Sequence, residues 1–173
     1  MSQERDDLRP ARLWKQMPDA GRRLAAGAMW NDEEAAEQQV EAIATIARQM
    51  KFRAKTVQSL DVDRKTRYLA GIGNVSDALA ARLVVSFHLT HQRPMMGAFL
   101  DALAITHDNG LITEENVHAP DPAKLAEAVT ALRASYPADA VRLYFSTLVW
   151  QDPDTWGGLS STIDSAKPVS GST

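Results

Sequence analysis

The chain contains no cysteine among its 173 residues. That removes disulfides, thiolate metal sites and cysteine nucleophiles together, although it does not decide the redox compartment. Aromatic residues are scarce at 6%. A sheet would want more Val, Ile, Thr and Tyr, whereas the abundant Ala and Leu suit helices packed through small and straight-chain residues. No apolar run is long. The longest uncharged stretch, Leu83–Gln92, is far short of the roughly 20 residues of a membrane span. An excess of positive charge is also missing. The formal net charge of −3 argues against a globally basic nucleic-acid binder, though a local patch stays open. No secretory leader is visible in the charged stretch Met1–Pro10, so the default expectation is a cytoplasmic protein.

What is present reads as helix. Hydrophobic residues make up 45% of the chain, enough to bury a core at this length. The expected fold is all-α: a single-domain bundle of about seven helices over 9–157, with a mobile N-terminus at 1–8 and a Gly-, Ser- and Thr-rich disordered tail at 158–173. Its centre is an apolar helix near 77–91, started by Ser76. There Leu79, Ala80, Leu83, Val84, Val85, Phe87 and Leu89 leave almost no polar face. A second apolar helix, near 94–106, follows Arg93-Pro94.

Upstream, short helices are expected at 10–17 and 20–29, the second with Leu24, Ala25, Ala28 and Met29 inward. Asn31 reads as the N-cap of one long helix, 32–58, with Asp32, Glu33 and Glu34 on the positive end of its dipole. Val40, Ile43, Ala44, Ala47, Met50, Ala54 and Val57 form its inner seam, which Ala42 and Ile46 widen. Phe52 marks where this helix could break. Another helix, near 62–71, ends at the turn Gly71-Ile72-Gly73. No strand precedes that turn, so it is not a phosphate-binding loop. Downstream, Asp121-Pro122 opens a helix to about Ser135, and Pro137 opens the last one, near 138–150.

Four sets of residues are candidates for function. His88 and His91 stand three apart on one helix face and could act as a ligand or proton-handling pair. His107, Asp108 or Asp101 could add a third ligand, and Arg93 could anchor an anion. Against a metal, the pair has no HExxH partner residues. The one Glu-x-x-His match, Glu115–His118, lies in a loop-like segment, where the bundle di-iron pattern needs two on helices. The preferred reading is that the two histidines cap the helix C-terminus as imidazolium. The second set is Asp108-Asn109-Gly110 with Leu111 and Ile112, which echoes half of an EF-hand loop. With Gly110 as sixth residue, however, Ile105 and Asn116 fall where calcium needs carboxylates. It reads as a turn, with Leu111 and Ile112 tucking into the core. No metal and no cofactor are expected.

The third set is a basic stretch: Arg48, Lys51, Arg53, Lys55, Arg64, Lys65 and Arg67, against only Asp61 and Asp63. With no DNA-reading motif and only Phe52 and Tyr68 interleaved, it reads as a solvated face rather than a nucleic-acid site. The fourth set is Trp150 and Trp156, which either clamp the end of the chain onto its body or form an interaction surface.

The leading functional expectation is a non-enzymatic helical interaction or structural protein. The rival is a small-ligand or metal-dependent enzyme with its pocket at His88, His91, Arg93, Asp101, His107 and Asp108. Convergence of the three histidines would favour the rival. Met29, Trp30, Met95, Met96, Trp150 and Trp156 near helix ends, together with the wide stripe of the long helix, suggest a homodimer through that helix or through the aromatic C-terminal segment.

Overall fold

The computed structural model describes residues 6–164. Among these the chain is a succession of helices with one two-residue β ladder, so the all-α expectation holds. No helix among the described residues is long and apolar enough to cross a membrane. The single bundle expected over 9–157 divides after His91 into two compact units.

The first unit contains α1 (Pro10–Gln16), α2 (Asp19–Trp30), a 3-10 turn (Glu33–Ala35), α3 (Ala36–Met50), α4 (Ala54–Gln58), α5 (Val62–Ala70) and α6 (Asp77–His91). Helix α6 packs on α1, α2 and α3, and α2 packs on α5. Trp14, Met29, Ile46, Leu69, Leu79 and Leu83 are fully buried between them. The apolar character of α6 therefore does what its sequence implies, with Leu79, Ala80, Leu83, Val84 and Phe87 all inside. Polar ties fix the ends. The indole N–H of Trp14 donates to the Ile72 carbonyl at 2.8 Å, which ties the one buried residue of the turn between α5 and α6 to α1. Asp77 accepts from the Ala11 amide at 3.1 Å and from Arg9, whose hydrogen bond holds the carboxyl below its usual pKa.

Several expectations for this unit need correction. Asn31 does not start the long helix: it ends α2 and donates to the Gly27 carbonyl, and the capping side chain is that of Asp32, which accepts from the Glu34 amide. The helix expected over 32–58 begins as a 3-10 turn and does break near Phe52, as its sequence allows: it stops at Met50, Lys51 takes a left-handed conformation (φ 56°), and the chain restarts at Ala54. The seam is also rotated. Ala42, Thr45, Ile46 and Ala47 are inside, whereas Val40 is 68% exposed and Ala44 and Met50 lie outside. Ala42 and Ile46, four apart, turn inward together, which leaves Val40 on the far side. Leu24, expected inward on α2, is exposed as well.

The second unit contains α7 (Arg93–Ala102), an antiparallel hairpin of β1 (His107–Asp108) and β2 (Leu111–Ile112), α8 (Pro122–Ser135), α9 (Ala138–Gln151), α10 (Pro153–Trp156), a 3-10 turn (Gly157–Leu159) and α11 (Ser160–Asp164). Its core holds a cluster of four rings among aliphatic side chains. The Phe99 ring lies 5.0 Å from Phe145, 5.7 Å from Tyr144 and 6.0 Å from Trp156, centroid to centroid. Asp121 caps α8 as expected, accepting from the Ala123 and Lys124 amides at 3.0 and 3.2 Å. Helix α7 ends earlier than the expected 106. Ala104 turns left-handed, and the Ile105 amide reaches back to the Leu100 carbonyl.

The disordered tail expected from residue 158 starts too early. Leu159 and Ile163 are buried in helical turns, because two branched apolar side chains in a polar stretch suffice to dock it. The remainder of that tail and the first five residues of the expected mobile N-terminus lie outside the described residues.

Candidate functional site

Of the six residues expected to line a pocket, His88 and His91 belong to the first unit, and Arg93, Asp101, His107 and Asp108 to the second. Within each unit the arrangement can be read atom by atom.

His88 sits on the inner face of α6, one position past Phe87, and is 3% exposed. Burial removes the water that would stabilise an imidazolium and pushes its pKa down to about 4. The side chain is therefore neutral at physiological pH, and the expectation that it caps the helix as a cation is wrong. The cause is position: His88 lies one turn past Val84 and two past Ala80, on a stripe that is buried throughout. His91, near the end of the same helix, is exposed, with its ring 5.8 Å from that of Phe87. One histidine faces the core and the other faces outward, so they do not form a ligand pair.

His107 opens the hairpin. Its Nδ1 accepts from the Gly110 amide at 3.0 Å, which leaves the proton on Nε2, 2.9 Å from an Asp101 carboxylate oxygen on α7. A catalytic Asp–His pair keeps the second ring nitrogen available for substrate. Here both nitrogens are engaged, so the ring has no lone pair with which to take a proton. Arg93 is drawn to the same turn, donating to the Asn109 carbonyl at 3.0 Å. Asp108 lies exposed in β1.

The turn itself is built by Asn109 (φ 48°) and Gly110 (φ 88°), the pair of left-handed residues that a tight two-residue hairpin demands. A side chain at Gly110 would come within 2.9 Å of the Met96 Cβ and 3.0 Å of the Arg93 carbonyl. Arg93, Asp101 and His107 thus fasten a hairpin to α7. The expectation that Leu111 and Ile112 enter the core is corrected by the same geometry: strand alternation leaves Leu111 exposed and Ile112 half-buried. Among the described residues no group of three or more His, Asp or Glu side chains is placed to hold a metal ion.

A polar cluster that sequence reasoning missed lies in the first unit. Asp32 accepts from Arg82 Nη2 at 2.6 Å and from the Ser86 hydroxyl at 3.0 Å, while its other oxygen caps the 3-10 turn. The available signal was Arg82 and Ser86, four apart on one face of an otherwise apolar helix. Ser86 is buried and its carboxylate partner is already paired with a guanidinium, so the cluster anchors α6 to the start of α3 and offers no reachable nucleophile.

The basic stretch is displayed to solvent. Arg48, Lys51, Arg53, Lys55, Arg64 and Arg67 are exposed, and Lys65 is half-buried with its ammonium 4.8 Å from the centre of the Trp30 ring. Phe52 and Tyr68 meet edge to face at 5.9 Å. The large apolar groups near helix ends are mostly absorbed: Met29, Met95, Met96 and Trp156 are buried within their own units. Trp156 acts as a clamp on Phe99, whereas Trp150, at the end of α9, is half-buried.

A scan against protein-family models, a search of curated proteins and a search of solved structures each found no match.

Proposed function

We propose that this chain is a non-enzymatic helical interaction protein and that its partner is a second copy of itself. The observation that carries the reading is the outer face of α3. Val40 is 68% exposed there, with Ala44 exposed one turn on, on a helix whose other face is part of the core. Two apolar residues one turn apart, facing solvent on a helix anchored by its other side, suit a small protein contact. The polar groups support the same reading from the other side. His88 is buried and neutral, His107 has both ring nitrogens occupied, and Ser86 is buried against a paired carboxylate. None of them is equipped to attack, bind or protonate a substrate.

Multi-angle light scattering of the full chain at tens of micromolar tests the proposal. The expected mass is twice the 19.0 kDa of one chain. A mass near 19.0 kDa across that range overturns self-association.

A further inference from the structure

The outer face of α3 is ordered by charge as well as by polarity. Glu37, Val40, Ala44 and Arg48 follow one another on α3 at spacings of three, four and four, with Glu33 in the 3-10 turn just before the helix and Lys51 at its left-handed C-cap, and all six are exposed. The four helical positions form one stripe along one side of α3, and the other two flank its ends. It runs from acid through apolar to base. Among the described residues, no ion pair within the chain holds Glu33, Glu37, Arg48 or Lys51. The neighbouring acids are already used: Glu34 lies 3.6 Å from Arg82, and Glu41 accepts from the Ser76 hydroxyl.

We infer that two copies of this chain pair antiparallel through α3, about a two-fold axis passing between Val40 and Ala44. This rests on the self-association proposed above and adds its geometry. In that arrangement Val40 of one copy meets Ala44 of the other, Glu37 meets Arg48, and Glu33 meets Lys51. The same contacts repeat on the other side of the axis, as a two-fold interface requires. Ala36 and Ala44 carry no bulk, so the helices can approach closely beside Val40. A parallel pairing would instead set Glu37 against Glu37 and Arg48 against Arg48. Like charges so placed repel, and that fixes the orientation. The face of one helix is smaller than the roughly 1,200–2,000 Å² buried in stable complexes, so the dimer is a weak one, formed at micromolar concentration.

The test uses the full chain at low ionic strength, with circular dichroism to show that each variant is folded. Val40→Glu should weaken dimerisation by about tenfold or more, since it places a carboxylate at the axis. Glu33→Lys with Glu37→Lys should do the same, as should Arg48→Glu with Lys51→Glu, each by about tenfold. The chain carrying all four charge changes should dimerise again, because its stripe is self-complementary in the reversed sense. It should not pair with the unmodified chain, which is read by pull-down with a tag on one of the two. Capture of the unmodified chain by the four-change variant would mean a parallel pairing and overturn the inference. A dimer of unchanged affinity in Val40→Glu or in either two-change variant would overturn it too, while leaving self-association through another surface intact. A monomeric unmodified chain would overturn both.

Discussion

The two units handle a histidine in opposite ways. In the first, His88 is enclosed on the inner face of a helix, and burial sets its protonation state. In the second, His107 stands at the edge of a hairpin, and two hydrogen bonds fix its tautomer. Neither is left with the exposed, adjustable ring that proton-transfer chemistry needs. The cores differ in the same spirit. The first is built from aliphatic side chains around α6, with Trp14 at one end. The second adds to its aliphatic side chains a cluster of rings, with Phe99 touching Phe145, Tyr144 and Trp156. Both cores are largely aliphatic, and what distinguishes the second is that four of its rings meet around Phe99.

The cores are the place where the comparison is most easily broken. Leu83 and Phe99 are each fully buried. Leu83→Ala should cost roughly 2–5 kcal/mol and Phe99→Ala roughly 3–5 kcal/mol, measured by urea unfolding. A loss below about 1 kcal/mol at either position would mean that it does not lie at the centre of its unit.

His88 gives the next largest effect, and it depends on pH. Its folded pKa of about 4 lies below the ordinary value of 6.5. Above pH 6.5 both the folded and unfolded chains hold a neutral ring, so the group makes no pH-dependent contribution. As pH falls from 6.5 to 4, the unfolded chain takes up a proton that the folded chain refuses, and folding is weakened. The full loss, reached below pH 4, is about 3 kcal/mol at roughly 1.36 kcal/mol per pKa unit. His88→Leu should flatten that part of the stability profile, and His91→Leu should leave it in place. If both variants keep the acid-side loss, another group causes it.

Much of the helical layout is legible in the chain because its signals are local. Pro10, Asp121-Pro122 and Pro137 start helices where their chemistry requires, and the apolar run of α6 marks a buried element. What is not legible depends on tertiary choice. The stripe of α3 has apolar residues on two sides, and spacing alone does not say whether the Val40 side or the Ile46 side turns inward. The break at Lys51 falls beside Phe52, where one was expected, but no Gly or Pro fixes its exact place. The division after His91 is hidden because α6 and α7 are both apolar and nearly contiguous. The hairpin has a signal of its own, since Asn109-Gly110 is the strongest short pattern for a two-residue turn. Its likeness to half a calcium loop obscures the strand alternation that keeps Leu111 outside. For the candidate site, sequence places Arg93, Asp101, His107 and Asp108 near one another. It does not show that the ring nitrogens of His107 are spent on a backbone amide and a carboxylate.

That last point yields the finest test of how the hairpin is held. Two devices fasten it to α7: the backbone geometry of Gly110 against Met96, and the polar tie from His107 to Asp101. They should differ in weight. Gly110→Ala forces a side chain into a left-handed residue and into contact with Met96, which should cost about 2 kcal/mol. Asp101→Ala removes a carboxylate that is 77% exposed, so water replaces most of what is lost. The His107 Nε2 proton then turns to solvent, while the Gly110 amide keeps its bond to Nδ1. The cost should stay within about 1 kcal/mol, the range of ordinary hydrogen bonds with an exposed partner. Thermal unfolding of the two variants beside the unmodified chain ranks them directly. If Asp101→Ala proves the more damaging, the hairpin hangs on the His107 tie, and the contrast with His88 narrows to burial alone.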